Sequence, residues 1–140
     1  EDKSGTHLII HGGEVISNQP TGCPDGTTLI ITDLFYNTPA RQKFMKSDSA
    51  ESGVIIDFMS QMALAYKNIS FRLINNGNVL FSTTGDGKRI NTIARVFPNI
   101  DIKNLVEVNY HEDNLSLEGF ISTPTMSRPT TLTLPLVMTT

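Results

Sequence analysis

The stretch that decides the fold of this chain is Asp25-Gly26-Thr27-Thr28-Leu29-Ile30-Ile31-Thr32-Asp33-Leu34-Phe35-Tyr36-Asn37-Thr38-Pro39-Ala40-Arg41-Gln42-Lys43-Phe44-Met45-Lys46. Gly26 has no side chain, so the backbone can approach a ligand closely there. The β-branched residues that follow, at positions 27–34, predict a buried strand centred on residues 28–32. Asn37 or Thr38 can cap a short helix that begins at Pro39, because the N–H group that proline lacks would be unpaired there anyway. A strand-to-helix corner with a purely structural role would explain the same pattern.

The flanking residues predict antiparallel hairpins. Gly12-Gly13 lies between segments 7–10 and 14–19 and predicts a tight turn. Asn76-Gly77 predicts a second turn, because both residues tolerate positive φ. The strands of this hairpin and of a last antiparallel pair are expected at residues 69–74, 78–83, 106–110 and 115–121.

Two amphipathic helices are predicted among these strands. Ser47-Asp48-Ser49 can cap a helix over about residues 50–67, and Pro98 ends another that begins near Lys88. Their buried faces are expected to be Val54, Ile55, Phe58, Met59, Met62 and Ala65 in the first helix and Ile90, Ile93, Ala94 and Phe97 in the second. Neighbouring strands with intervening helices favour an α+β fold of two layers over a parallel α/β sheet.

Composition excludes several classes of protein. The 140 residues are 39% hydrophobic and 18% charged, so a packed core is feasible and wholesale disorder is not expected. We expect neither a membrane span, which needs roughly 20 apolar residues, nor a signal peptide. The lone Cys23 cannot form an internal disulfide or a cysteine-based zinc cluster. A reducing compartment, and hence a cytoplasmic location, is expected.

Charge is unevenly distributed along the chain. Residues 1–40 carry a net charge of −4, residues 41–103 of +4 and residues 104–140 of −3. The basic middle could contact phosphates, although a solvated surface of mixed charge is the simpler explanation on charge alone.

No pattern of a catalytic or metal-binding site occurs in the sequence. His7 and His11 are four residues apart, a spacing that suits two metal ligands only on a helix, whereas Gly12-Gly13 predicts strands there. The metalloprotease and serine-hydrolase motifs are missing, and no carboxylate pair has a spacing typical of acid–base catalysis. We therefore predict no catalytic residue and no metal ligand.

The opening stretch contains a long motif without gaps. Gly26-Thr27-Thr28 is followed by Asp33-Leu34-Phe35-Tyr36-Asn37-Thr38-Pro39-Ala40-Arg41 and by Lys43-Phe44. In these residues the chain resembles the MutL family of DNA mismatch-repair ATPases, whose signature is G-T-T…L-F-x-N-x-P-A-R-x-K-F. The resemblance continues through Ala63-Leu64-Ala65, Ile69-Ser70-Phe71-Arg72-Leu73 and Asn76-Gly77 and reaches roughly Arg128.

This resemblance implies two parts of a longer ATPase. Residues 1–38 would be the last strands of an ATPase domain of the gyrase and chaperone type. Residues 39–128 would be a two-layer transducer domain with a ribosomal-protein-like left-handed βαβ crossover, and residues 129–140 a divergent tail. The family's Mg²⁺-binding Asn and catalytic Glu would lie upstream, so ATP and Mg²⁺ would act in the full-length parent. The fragment alone is expected to need no cofactor and to be inactive as an ATPase.

The resemblance also implies contacts with ATP. Gly26, Thr27 and Thr28 match family positions at the nucleotide pocket, near the adenine. Thr27 is the first candidate, because its hydroxyl could bond to adenine directly or through an ordered water.

Contacts with DNA are implied for the basic residues, because MutL proteins bind DNA through a positively charged channel. The first candidates are Arg41, Lys43 and Lys46, and the second are Lys88, Arg89 and Arg95. Arg41 could instead pair with a carboxylate to hold the domain junction.

The parent would couple ATP binding and hydrolysis to dimer closure, DNA binding and signalling from mismatch recognition to strand removal. Its partners would be DNA, a mismatch-recognition protein, a repair nuclease or helicase, and a second copy of itself. One alternative is a nucleotide-independent interaction module that uses the helical face around Met59 and Met62. Another is the transducer of a topoisomerase-type ATPase, against which the signature at residues 37–41 argues.

Overall fold

In a computed structural model of the protein, residues 4–112, 115–124 and 137–139 are described. The chain divides into two units, Glu1–Lys46 and Ser47–Thr140, which we call the N-terminal unit and the C-terminal unit. The domain boundary expected from the sequence lies between residues 38 and 39, within the N-terminal unit.

The N-terminal unit begins with the predicted hairpin. Strands β1 (Ser4–His11) and β2 (Glu14–Gly22) pair antiparallel, with a bulge between Ile9 and Ile10. Gly12 and Gly13 form the turn with φ of 57° and 99°, a region that favours glycine. The hairpin predicted from the glycine pair is therefore confirmed.

The predicted strand at residues 28–32 is wrong, since residues 23–32 form no strand or helix. A strand exists only where a neighbour accepts and donates its ladder hydrogen bonds. Within the described residues β1 and β2 pair only with each other, so this segment has no neighbour. Its side chains are exposed, with Leu29 and Ile30 each 81% accessible.

The predicted short helix is present as α1 (Pro39–Lys43), with proline at its start. Thr38 is the N-cap residue, but its side chain makes no capping hydrogen bond. The Thr38 carbonyl instead accepts from the Arg41 N–H at 2.9 Å. The position of the helix start is confirmed, whereas the side-chain cap is not formed.

Two helices of the C-terminal unit confirm their predictions. Helix α2 spans Asp48–Ala65, and the Ser47 hydroxyl caps it by accepting from the Ala50 N–H at 3.4 Å. Helix α3 spans Arg89–Val96 and ends just before Pro98. A short 3₁₀ helix follows at Ile102–Asn104. None of the helices in the described ranges combines the length and the hydropathy that a membrane span requires.

Five strands complete the C-terminal unit. Strands β3 (Arg72–Asn75) and β4 (Asn78–Ser82) form the predicted hairpin, in which Asn76 and Gly77 have φ of 48° and 79°. Strands β5 (Leu105–Glu112) and β6 (Leu115–Ser122) form the last predicted pair, and β7 (Val137–Thr139) adds to β6. The tail predicted at residues 129–140 lies outside the described residues except for β7.

The core of the C-terminal unit lies between its helices and the β3–β4 hairpin. Among the described residues, the buried side chains are Ser60, Ala63, Leu64, Phe81, Thr83, Thr92 and Ile93. The expected buried face of α2 is wrong at four of its six residues, because Val54, Ile55, Phe58 and Ala65 are exposed, while Met59 and Met62 are half-buried. Helix α2 packs against α3 and β3, and the small side chains of Ser60 and Ala63 allow closer contact than Phe58 would. The mixed helix-and-strand fold is confirmed, while the left-handed two-layer transducer topology stays a prediction.

Candidate functional site

The candidate nucleotide contacts lie on the segment that follows β2. The chain bends at Asp25 and Gly26, and Gly26 has a φ of 135°, which L-residues rarely adopt. No described atom lies within 4 Å of the position that a Cβ on Gly26 would occupy. The backbone there is therefore accessible to a ligand.

Two hydroxyl groups follow directly. Thr27 and Thr28 are both exposed, and no hydrogen bond to either hydroxyl is formed by the described residues. Each hydroxyl can donate one hydrogen bond and accept two. Gly26, Thr27 and Thr28 thus lie together as an open, polar segment with unused hydrogen-bonding groups.

A sharp corner connects this segment to α1. Asp33 and Phe35 have φ of 50° and 68°, which is unusual for residues other than glycine. The Tyr36 N–H donates to the Asp33 carbonyl at 3.0 Å, and the Thr38 N–H donates to the Phe35 carbonyl at 2.9 Å. Asp tolerates this conformation, but nothing in the sequence indicates it for Phe35. The corner reverses the chain before the basic residues.

The tip of the β1–β2 hairpin contacts this corner. A side chain on Gly12 would collide with the hydroxyl of Tyr36. Gly12 is therefore needed twice, for its positive φ and for the close approach of Tyr36. The hairpin, the corner and the polar segment all belong to the N-terminal unit.

The candidate DNA contacts surround the end of α1. Arg41 and Lys43 lie in its last turn, where positive side chains interact favourably with the negative end of the helix dipole. Lys46 follows the helix. All three are exposed. Arg41 and Lys43 form no ion pair within the described part of the chain, so the alternative of an Arg41–carboxylate pair finds no partner there. Residues two apart on a helix point in different directions, so the Arg41 and Lys43 side chains leave α1 on different sides.

The second set of basic residues lies on α3. Arg95 is exposed. Arg89 instead donates from Nη1 to the Glu118 carbonyl at 3.2 Å and lies 3.7 Å from the Glu118 carboxylate. The charge of Arg89 is therefore partly compensated within its own unit.

No three His, Cys, Asp or Glu side chains among the described residues lie close enough to hold a metal ion. Cys23 is an exposed free cysteine.

Comparison with known proteins gives one consistent family name. No family model matches the sequence. The chain is 39% identical over 128 residues to the DNA mismatch repair protein MutL of Agathobacter rectalis, which covers 91% of this chain and 20% of that protein. It is 38% identical over 125 residues to MutL of Methanoculleus marisnigri, covering 89% of this chain and 21% of that protein. The chain thus spans about one fifth of the length of these curated relatives.

Solved structures of the same family share the fold. The Aquifex aeolicus MutL ATPase domain complexed with ADP matches with a TM-score of 0.70 and 21% identity, over 86% of this chain and 47% of that chain. A structure of the ATPase domain from the mismatch repair endonuclease MutL of the same organism matches with a TM-score of 0.69 and 20% identity, over 87% and 46%. Since sequence identity extends along nine tenths of the chain and the fold agrees with that of a MutL ATPase domain, the chain belongs to the MutL family of DNA mismatch repair proteins.

Proposed function

We propose that this chain is part of the ATP-dependent machinery of a MutL-type DNA mismatch repair protein. In this proposal residues 1–38 end the ATPase domain and residues 39–128 form the transducer domain. The parent couples ATP binding and hydrolysis to dimer closure, DNA binding and signalling from mismatch recognition to strand removal. The observation that carries the proposal is the 39% identity to a MutL protein over 128 residues.

Within this proposal the segment at Gly26, Thr27 and Thr28 contacts ATP. Its accessible backbone and unused hydroxyl groups support this role, and a similar domain has been solved with ADP. Bound ATP acts as a switch ligand that shifts the parent between open and closed dimers. No three His, Cys, Asp or Glu side chains among the described residues lie close enough to hold a metal ion, and we assign no residue of this chain to Mg²⁺.

The nucleotide contact is tested by Thr27→Val in the parent protein that contains this chain. Loss of one hydroxyl hydrogen bond should raise the Kd of ATP about fivefold, measured by titration calorimetry. Thr6→Val, the same substitution on exposed strand β1, is the control and should leave the Kd unchanged. Equal ATP affinity in the two variants would contradict a contact at Thr27.

The proposed DNA surface is formed by Arg41, Lys43 and Lys46. Because Arg41 and Lys43 point in different directions from α1, we expect them to neutralise two separate phosphates. Each phosphate contact adds about 0.9 to the slope of log K against log salt concentration on duplex DNA. The double variant Arg41→Ala/Lys43→Ala should therefore lower that slope by about 1.8.

The control variant for this experiment removes the same number of positive charges from residues outside the proposed DNA surface. Arg72→Ala/Lys103→Ala takes one arginine and one lysine from exposed positions of the C-terminal unit. The control should keep the wild-type slope in a salt titration of parent protein on duplex DNA. A wild-type slope in the Arg41/Lys43 variant would show that those charges are structural.

The two alternative functions receive less support. Met59 and Met62 are half-buried, whereas Val54, Ile55 and Phe58 on the same helix are exposed, so burial does not decide against an interaction surface on α2. The matching relatives carry the name MutL, which favours mismatch repair over a topoisomerase-type transducer.

A further inference from the structure

The turn between β3 and β4 consists of Asn76 and Gly77. Asn76 is the single asparagine of the sequence that precedes a glycine. It is exposed, and its side-chain amide forms no hydrogen bond with the described residues. No described atom lies within 4 Å of the position that a Cβ on Gly77 would occupy. The side-chain amide and the peptide bond that follows it are therefore open to water.

An asparagine before glycine can lose its side-chain amide without an enzyme. The Gly77 nitrogen attacks Asn76 Cγ, so that a bond forms between them while the Cγ–Nδ2 bond breaks. The displaced NH₂ group takes up the proton of the Gly77 N–H and leaves as ammonia. Water then opens the five-membered imide at either carbonyl and gives aspartate or isoaspartate. Glycine permits this attack because it has no side chain beside the nitrogen.

The folded turn holds the two reacting atoms apart. Asn76 and Gly77 have φ of 48° and 79° and form a two-residue loop, which is the type I′ arrangement. In such a turn ψ of the first central residue is about +30°. The Asn76 Cβ and the Gly77 nitrogen are then nearly anti across the Cα–C bond. Ring closure requires them on the same side, so the closed turn cannot react and an open turn can.

We infer that Asn76 is a modification site at which deamidation occurs only while the β3–β4 hairpin is open. Local opening of part of a folded protein is an equilibrium with its own free energy. When reclosing is fast relative to the reaction, the rate equals the open fraction multiplied by the rate in the unfolded chain. The site lies outside the nucleotide and DNA contacts proposed for the N-terminal unit and does not depend on them.

The isoaspartate product changes the hairpin permanently. Its main chain runs through the former side chain and is one methylene group longer, so a two-residue turn no longer fits the Asn75–Asn78 pair. The hairpin is tied to the rest of its unit, because Asn75 Nδ2 donates to Ser52 Oγ at 3.5 Å and Phe81 is buried in the core. Deamidation thus turns a transient opening of the hairpin into a lasting one.

The test follows the 140-residue chain in mildly alkaline buffer, folded and unfolded in urea, by mass spectrometry of its peptides. Asn76 should convert in both states. Its rate in the folded chain should be lower by the open fraction that amide hydrogen exchange of β3 and β4 measures. Asn78 is exposed on the same hairpin and precedes β-branched Val79, which crowds the attacked bond. It is the internal control and should stay intact. Equal Asn76 rates in the two states, or no conversion in urea, would overturn the inference.

Variants away from the turn change the open fraction alone. Phe81→Leu weakens the packing of β4 in the core and should raise the Asn76 rate by the same factor as the open fraction. Thr83→Val, which removes the acceptor of the Phe71 N–H, is a second variant of this kind. Ile30→Ala, in the N-terminal unit, is the control and should react as wild type. A hairpin that opens more often in Phe81→Leu or Thr83→Val without faster deamidation would contradict the gating.

The effect of the product is measured on the purified isoaspartate form. Strands β3 and β4 should lose their protection from hydrogen exchange in this form. Asn76→Asp has the same added charge and an unchanged main chain, and aspartate tolerates a positive φ, so this variant should keep the protection. Protected strands in the isoaspartate form, or equal loss in Asn76→Asp, would show that the longer main chain is not what opens the hairpin.

Discussion

The N-terminal and C-terminal units differ in how far their apolar side chains are exposed to solvent. In the N-terminal unit no described residue is buried, and Leu29, Ile30 and Ile31 are 68–81% exposed. In the C-terminal unit Ala63, Leu64, Phe81 and Ile93 are at most 5% exposed. Hydrogen bonds of the hairpin and the corner hold the first unit, whereas the second adds a packed core.

This difference indicates that the apolar residues within positions 27–32 are suited to burial, which the described residues of the N-terminal unit do not provide. Consecutive apolar residues are typical of a strand buried on both faces of a sheet. Exposed apolar patches usually mark a surface that binds a partner. The chain also spans only about one fifth of its MutL relatives. This difference in burial can be tested by making the same type of substitution once in each unit.

The largest expected effect comes from a matched pair of isoleucines. Ile93→Ala in the C-terminal unit, where Ile93 is 2% exposed, should cost about 3–4 kcal/mol, because it leaves a cavity in the core. Ile30→Ala, at 81% exposure, should stay within about 0.5 kcal/mol. Native-state amide hydrogen exchange measures both, since it reports on each unit separately. A cost above about 1 kcal/mol for Ile30→Ala would mean that Ile30 is packed in solution.

The second effect compares two glycines with positive φ. A Cβ on Gly85, with φ of 67°, would lie 2.6 Å from the Ser70 nitrogen and 2.9 Å from the Ile69 carbonyl carbon. Gly85→Ala should cost about 3 kcal/mol, because backbone atoms must move as well. Gly12→Ala should cost only about 1 kcal/mol, because its obstacle is the end of the flexible Tyr36 side chain. Hydrogen exchange in β4 and in β1 measures the two costs, and equal costs would contradict this ranking.

The third effect compares two threonines. Thr83 is 4% exposed, and its Oγ1 accepts from the Phe71 N–H at 2.9 Å. Thr83→Val should cost about 2 kcal/mol in the urea-induced loss of helical circular dichroism, because the Phe71 N–H loses its acceptor. Thr27→Val should leave the same transition unchanged, since its hydroxyl has no partner among the described residues. If both variants lost equal stability, Thr27 would be structural and its use as an ATP probe would fail.

Local signals in the sequence predicted most elements of the fold. Asn76-Gly77 and Gly12-Gly13 fix their turns by backbone conformation alone, and Ser47 caps α2 from the adjacent residue. The strand at 28–32 was predicted wrongly, because a strand also requires a neighbour that periodicity cannot supply. The predicted buried face of α2 was wrong for a related reason. Contacts with neighbouring elements bury Ser60 and Ala63 and leave Phe58 exposed, and helical periodicity alone does not contain those contacts.

The candidate site was only partly predictable. The motif predicts Gly26 and Thr27 as ATP contacts, and it can be recognised from the sequence because its residues are close together along the chain. The positive φ of Phe35 has no local signal and depends on the turns around it. The contact between Arg89 and Glu118 joins residues 29 positions apart, so only the fold could bring them together.

The smallest expected effect is a pH dependence in the C-terminal unit. Hydrogen bonds from the Asn91 side chain, at 2.6 Å, and from the Lys88 N–H hold the pKa of Asp86 below its ordinary value of 3.8. A carboxylate with a lowered pKa in the folded state contributes stability above its unfolded pKa, and this contribution disappears as the pH falls through the folded pKa. Asp86→Asn should therefore be less stable than wild type at pH 7, and the difference in Tm should shrink as the pH is lowered below about 4. Thermal melts followed by circular dichroism at several pH values measure this difference, and Ile30→Ala should show a Tm difference from wild type that does not change with pH. A difference for Asp86→Asn that stayed constant down to pH 3, roughly one unit below the ordinary value, would mean that Asp86 positions Lys88 and Asn91 by shape rather than by charge.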